Sequence, residues 1–129
     1  MKKANENKEI SLTFYTPKDL RNWDTGKKVL SFFLEYDQSL AAEFVEFDHG
    51  LQAVNIKDYD YLSSSWGNSL VFILHRRSPY RNQTSISLVK NKSGYHLIYM
   101  WVEADYFHNQ VNIDRFINFG EKLYEAKVV

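Results

Sequence analysis

The sequence predicts an α+β protein: an antiparallel sheet of about five to six strands with a meander core, packed with two helices as a two-layer sandwich. Three observations lead there. Between Ser69 and Val102 lie three apolar runs, Leu70–His75, Ile86–Val89 and Tyr95–Val102, rich in Val, Ile, Phe, Tyr and Trp. They are separated by turn formers around Pro79 and at Asn91-Lys92-Ser93-Gly94, the pattern of strands joined as hairpins. Two other stretches carry apolar residues at 3.6-residue spacing. The chain of 129 residues, 44% hydrophobic and 16% aromatic, has material for one core, and no repeat, low-complexity tract or Pro/Gly/Ser linker divides it.

Taken in order, residues 1–9 (MKKANENKE) are polar and read as a disordered lead-in, with 10–129 as the single domain. Ile10, Leu12 and Phe14 alternate with polar neighbours and predict a first strand that Pro17 ends. Asp24 or Thr25 caps a helix expected from about Thr25 to Tyr36, with Val29, Leu30, Phe33 and Leu34 on one stripe. Phe44–Phe47, Asp48-His49-Gly50 and Leu51–Ile56 read as a hairpin whose glycine takes the left-handed position; a first helix continued through Phe44 is the alternative. Residues 57–68, polar and small apart from Tyr59, Tyr61 and Trp66, are expected as an ordered loop, and Glu103–Val111 as another. Asn109 or Asn112 caps a closing helix with Ile113, Phe116, Ile117, Gly120, Leu123 and Tyr124 on one face.

Composition narrows the function classes. Sixteen basic and sixteen acidic side chains cancel, which disfavours a broad nucleic-acid surface, since such binders carry a basic surplus. With no cysteine there is no disulfide, thiolate metal site or cysteine nucleophile, and no apolar run reaches the length of a signal or a membrane span. A cytoplasmic protein without membrane contact is the expectation. There is no Gly-rich phosphate loop, nucleophile elbow or His-Glu-x-x-His, so neither enzyme activity nor a cofactor is expected.

Two clusters hold chemistry-bearing residues. His75, Arg76, Arg77, Tyr80 and Arg81 sit at the first meander hairpin, where forked guanidiniums suit a phosphate, a carboxylate or an acidic partner; charge placed there for solubility alone is the competing reading. Glu103, Asp105 and His108 match no metal-ligand spacing and read as chance proximity. Glu125-Ala126-Lys127 lacks the upstream partner that a nuclease carboxylate–lysine motif needs. His49 and His96, alone in a turn and a strand, read as structural.

The positive signal is for protein binding. Trp66, Tyr59, Tyr61, Tyr80, Tyr106 and Phe107 fall largely outside the predicted elements, and Tyr, Trp and Arg dominate interface energetics. Asp58 and Asp60, with Glu43, Glu46 and Asp48, gather acid in the first half, while Arg76, Arg77 and Arg81 lie in the second, an asymmetry suited to a charged partner. Packing beneath their own loops is the other account of these aromatics. In Tyr95–Val102 both alternating sets are apolar, so this strand is either covered on both faces or presents one face to a partner.

The plan of the chain, with Trp66-Gly67, Tyr99-Met100-Trp101-Val102 and a closing helix, resembles the small bacterial immunity proteins that neutralise polymorphic or contact-delivered toxins. That resemblance implies stoichiometric binding of a cognate toxin domain and assigns no contact residues. Two alternatives stand beside it: a small ligand-binding or enzymatic domain that uses the arginine–histidine cluster for an anion, and a phage or mobile-element inhibitor of a host system.

Overall fold

Residues 8–47, 50–53 and 59–125 are described by the computed structural model of this chain. Expectations that fall on 1–7, 48–49, 54–58 and 126–129 lie outside it, among them most of the lead-in, the Asp48-His49 turn, the far end of the second hairpin strand, Asp58 and Lys127.

The elements run β1 (Glu9–Thr16), α1 (Trp23–Glu35), β2 (Phe44–Phe47), β3 (Gly50–Ala53), α2 (Tyr59–Gly67), β4 (Val71–Arg76), β5 (Asn82–Ser87), β6 (His96–Glu103), a 3-10 helix (Ala104–His108) and α3 (Gln110–Glu125). The strands form one antiparallel sheet in the order β1-β6-β5-β4-β2-β3. The protein is therefore α+β, with helices packed on a single sheet as two layers.

Period-two alternation decides which face is covered. Along β6, His96, Ile98, Met100 and Val102 are buried while Leu97 and Tyr99 are exposed. The inward set continues through Ile86 of β5, Phe72 and Leu74 of β4 and Val45 of β2. It meets Val29, Leu30, Phe33 and Leu34 of α1, Leu62 and Trp66 of α2, Tyr106, and Phe116, Phe119 and Leu123 of α3. Helices and core thus lie on one side of the sheet.

The structure shifts several boundaries. The first strand takes in Glu9, opposite Glu103, and the Ala104 N–H donates to the Lys8 carbonyl (3.1 Å). Helix α1 opens at Trp23 because the Asn22 carboxamide, not Asp24 or Thr25, accepts the free Thr25 N–H (3.3 Å). The hairpin reading of 44–53 holds, with Phe47 opposite Gly50, whose φ of 114° suits glycine. Strand β5 begins at Asn82, before the apolar run, because its inward positions include the polar Asn82 and Thr84. Asn82 fits there by donating from Nδ2 to the Leu40 carbonyl (3.1 Å).

The supposed loop at 57–68 is mostly helix α2. Its Leu62 and Trp66, four residues apart, share the buried face, and that burial outweighs the weak helix preference of Ser63-Ser64-Ser65. The second supposed loop holds the 3-10 helix. On α3 the apolar stripe is rotated from the expected one: Phe119 is buried, whereas Ile117 and Tyr124 are 54% and 70% exposed. Asn109 caps α3, its side chain accepting from the Asn112 N–H (2.9 Å).

Two details lock the layers together. The Trp66 indole donates to the Leu20 carbonyl (2.8 Å) and lies against Gly26 of α1, where a Cβ would stand 2.6 Å from the ring. His96, buried in the sheet, has Nδ1 2.9 Å from the Ser87 carbonyl, while its Nε2 accepts the Leu20 N–H (3.2 Å). Accepting at Nε2 assigns the proton to Nδ1, a neutral imidazole that bridges the sheet to the segment entering α1.

Candidate protein-binding face

The outward positions of the sheet form a surface that no described helix covers. Register aligns them in rows across the strands. One row runs Thr13, Tyr99, Ser85, Ile73, Glu46, Leu51, from one edge to the other. Beside it run Ser11, Trp101, Gln83, His75, Phe44 and Ala53. Tyr15 opposes Leu97, and Val71 opposes Ser87. Tyr15 and Val71 are 57% and 47% exposed, and Tyr99, Leu97 and Leu51 are exposed as well. Trp101, Ile73 and Phe44 are half-buried by their neighbours.

This face is apolar and aromatic with small polar residues between, and its charges sit near one end. Glu46 meets His75 there (2.9 Å), and the Arg77 guanidinium lies over the Phe44 ring, 4.9 Å from its centroid. Arg81 faces Glu103 (3.5 Å), whose carboxylate also accepts the Arg81 backbone N–H (2.6 Å). A surface of exposed aromatics with a sparse charged rim has the composition of a protein interface.

The structure separates the residues that the sequence singles out. The three arginines of the β4–β5 connection diverge: Arg77 goes to Phe44, Arg81 to Glu103, and Arg76 points to the other side, donating from Nη1 to the Ala41 carbonyl (2.7 Å). They form no common anion cradle. Trp66 and Tyr106 are buried at 1% and 0% exposure, so neither touches a partner of the folded protein, contrary to their reading as interface residues. Tyr106 packs edge-on against Tyr80 and Phe107, and its hydroxyl is 2.7 Å from that of Ser39, which donates to Asp37 (2.6 Å). Burial raises the Tyr106 phenol pKa above its ordinary value.

Tyr59, Asp60 and Tyr61 lie on α2, in the helical layer. Tyr61 donates to Gln52 (3.1 Å), and Tyr59 donates to the Glu35 carboxylate with Lys27 over its ring. Burial first, then the Glu35 bond and charge, hold the Tyr59 phenol far above the tyrosine range. His108 meets Asp105 (3.5 Å) on the surface while Glu103 is taken by Arg81. Among the described residues, no group of three His, Asp or Glu side chains could hold a metal ion, and no helix is long and apolar enough to cross a membrane.

Phe44, Val71, Ile73 and Tyr15, which the sequence does not single out because they sit in strands rather than loops, also lie on this face. For Val71 and Ile73 the signal was the run Val71-Phe72-Ile73-Leu74, apolar at both parities as Tyr95–Val102 is. The sequence matches no protein-family model, and no curated protein or solved structure is detectably similar to it.

Proposed function

We propose that this chain is a protein-binding module that acts as an immunity protein, neutralising a cognate bacterial toxin domain by stoichiometric binding. The observation that carries the binding part is the sheet face left open among the described residues, where Tyr15, Leu97, Tyr99, Trp101, Ile73 and Phe44 lie together with no described helix above them. Burying such a face against another protein removes apolar area from water, and its aromatic anchors lose little side-chain entropy in doing so. The toxin part rests on the resemblance of the chain's plan to immunity proteins. A binder of this kind needs no catalytic group, which agrees with the divergent arginines and the absence of a recognised catalytic motif.

The test is co-purification with the products of the genes encoded beside it, followed by calorimetry on any complex. The expected result is a one-to-one complex that abolishes the partner's toxicity. Trp101→Ala and Ile73→Asp should each weaken it by about 2 kcal/mol or more, roughly thirtyfold, without unfolding the protein. The absence of a complex with any neighbouring product would overturn the proposal.

A further inference from the structure

A second surface, apart from the outer face, has features that specify what would bind it. Strand β1 is an edge of the sheet and is eight residues long, whereas the opposite edge, β3, has four described residues. Two hydrogen bonds define how β1 is oriented. Ala104 donates to Lys8, and Glu103 donates to Arg81 on the other side, so the even-numbered residues of β6 turn their backbone toward β1 and the odd-numbered ones toward β5. Ile10, Leu12 and Phe14 therefore complete the ladder with β6. Glu9, Ser11, Thr13 and Tyr15 point their N–H and C=O groups outward, and among the described residues these groups have no partner.

Sheet edges left in solvent are ordinarily protected by lysine, proline, a bulge or an inward charge. Between Ile10 and Thr16 β1 has none of these. Directly beside it, on the inner side, an apolar groove of about 690 Å³ runs between Leu12 and Phe14 of β1 and Phe116, Ile117, Gly120 and Tyr124 of α3. Gly120 lines the groove without a side chain; a Cβ there would make an ordinary contact, 3.5 Å from Leu12, and only a larger side chain would fill the space. Glu121 and Glu125 border the groove in the last turns of α3; Glu125 is paired with Lys122 (3.2 Å), which leaves Glu121 and the negative end of the helix dipole as the acidic rim.

From this geometry we propose that the β1 edge binds an extended segment of a partner protein as an added antiparallel strand, with apolar side chains at two alternate positions in the groove and a lysine or arginine beside Glu121. The side chains of an added strand that oppose Leu12 and Phe14 would project to the inner side, two residues apart, into the groove. A second copy of this chain would supply alternating apolar residues but would bring a second Glu121 and a second negative helix end to the same rim. A basic-flanked segment of another protein is the better complement. The inference does not depend on the outer-face proposal: Ser11, Thr13 and Tyr15 lend that face their side chains, whereas the edge offers their backbone N–H and C=O groups.

The probe is a fluorescein-labelled octapeptide with lysine at both ends and valine and threonine alternating between them, titrated by anisotropy against the whole chain. Saturable binding is expected, with protection from hydrogen exchange appearing at the amides of Ser11, Thr13 and Tyr15. Thr13→Pro and Ser11→Pro remove outward-facing N–H groups that the fold does not use. Each should weaken peptide binding about tenfold or more while leaving the unfolding transition cooperative. Gly120→Phe, which fills the groove, should do the same by a different route, and replacing the peptide's lysines with glutamates should weaken binding as well. No saturable binding to the unmodified chain, or equal binding to the two proline variants and Gly120→Phe, would overturn the proposal. So would a concentration-dependent dimer in sedimentation that Thr13→Pro dissolves while the peptide fails to bind, because the edge would then belong to a second copy.

Discussion

Replacing Gly26 with alanine should destabilise this protein, against the ordinary rule for helices. Gly26 lies inside α1, where alanine is normally favoured by about 1 kcal/mol. Here the added methyl would stand 2.6 Å from two atoms of the Trp66 indole and 2.7 Å from the Leu20 carbonyl oxygen. Neither neighbour is a flexible chain end: one is a buried ring held among Trp23 and Phe72, the other is backbone. Overpacking of a rigid core costs about 1–3 kcal/mol. If the indole moves to relieve the clash, its 2.8 Å bond to Leu20 breaks, and a buried donor or acceptor left unpaired costs about 1–3 kcal/mol more. Setting the helix preference against these leaves a net loss of about 3 kcal/mol, or roughly 10 °C in melting temperature for a domain of this size. Urea unfolding followed by tryptophan fluorescence measures it directly. Gly120→Ala is the control: its Cβ meets Leu12 at an ordinary 3.5 Å, so the helix preference should prevail and raise stability by about 0.5–1 kcal/mol. If Gly26→Ala matched that gain, the close seat of Trp66 on α1 would be wrong.

Other consequences are open to measurement. His96→Leu strands the Leu20 N–H and the Ser87 carbonyl, at about 1–3 kcal/mol for each buried group, and the loss should appear in the same urea assay. Tyr59 and Tyr106 both have phenol pKa values raised above the ordinary 10.0, so the folded state keeps protons that the unfolded chain releases. Their contribution is complete below pH 10 and is lost as pH rises above it; stability should fall there, less steeply in the Tyr59→Phe, Tyr106→Phe double variant. Tyr106→Phe alone at neutral pH should cost about 1 kcal/mol through the lost contact with Ser39. Ile117→Glu and Tyr124→Lys, at exposed positions on α3, should change stability by no more than about 0.5 kcal/mol, whereas Phe119→Ala should cost about 3–5 kcal/mol.

What the sequence disclosed and what it hid follow one physical line. Period-two alternation in Ile10–Phe14 and the apolar runs of the meander report burial directly, so the sheet, its antiparallel sense and the single covered layer were legible. Helix α2 was hidden because three consecutive serines contribute nothing to its formation; two apolar residues four apart, Leu62 and Trp66, hold it by tertiary contact alone. Strand β5 was displaced in the reading because its inward Asn82 and Thr84 look like surface until their partners are known. The stripe of α3 was rotated because Phe, Ile and Tyr occur around much of the helix, and only the packed neighbours distinguish Phe119 from Tyr124. The loop aromatics misled for the same reason: Trp66 and Tyr106 are large enough to be anchors of either kind, a core or an interface.

One sheet with helices on one side only is two texts written on alternate letters. In β4, β5 and β6 the inward letters, such as Phe72, Leu74, Ile86, Ile98 and Met100, are read by the helices and spell the fold. The outward letters between them, such as Ile73, Ser85, Tyr99 and Trp101, are read by no other element of the described chain. A substitution at an outward letter therefore leaves the folding message intact, and the outer face is free to change its vocabulary without renegotiating the core.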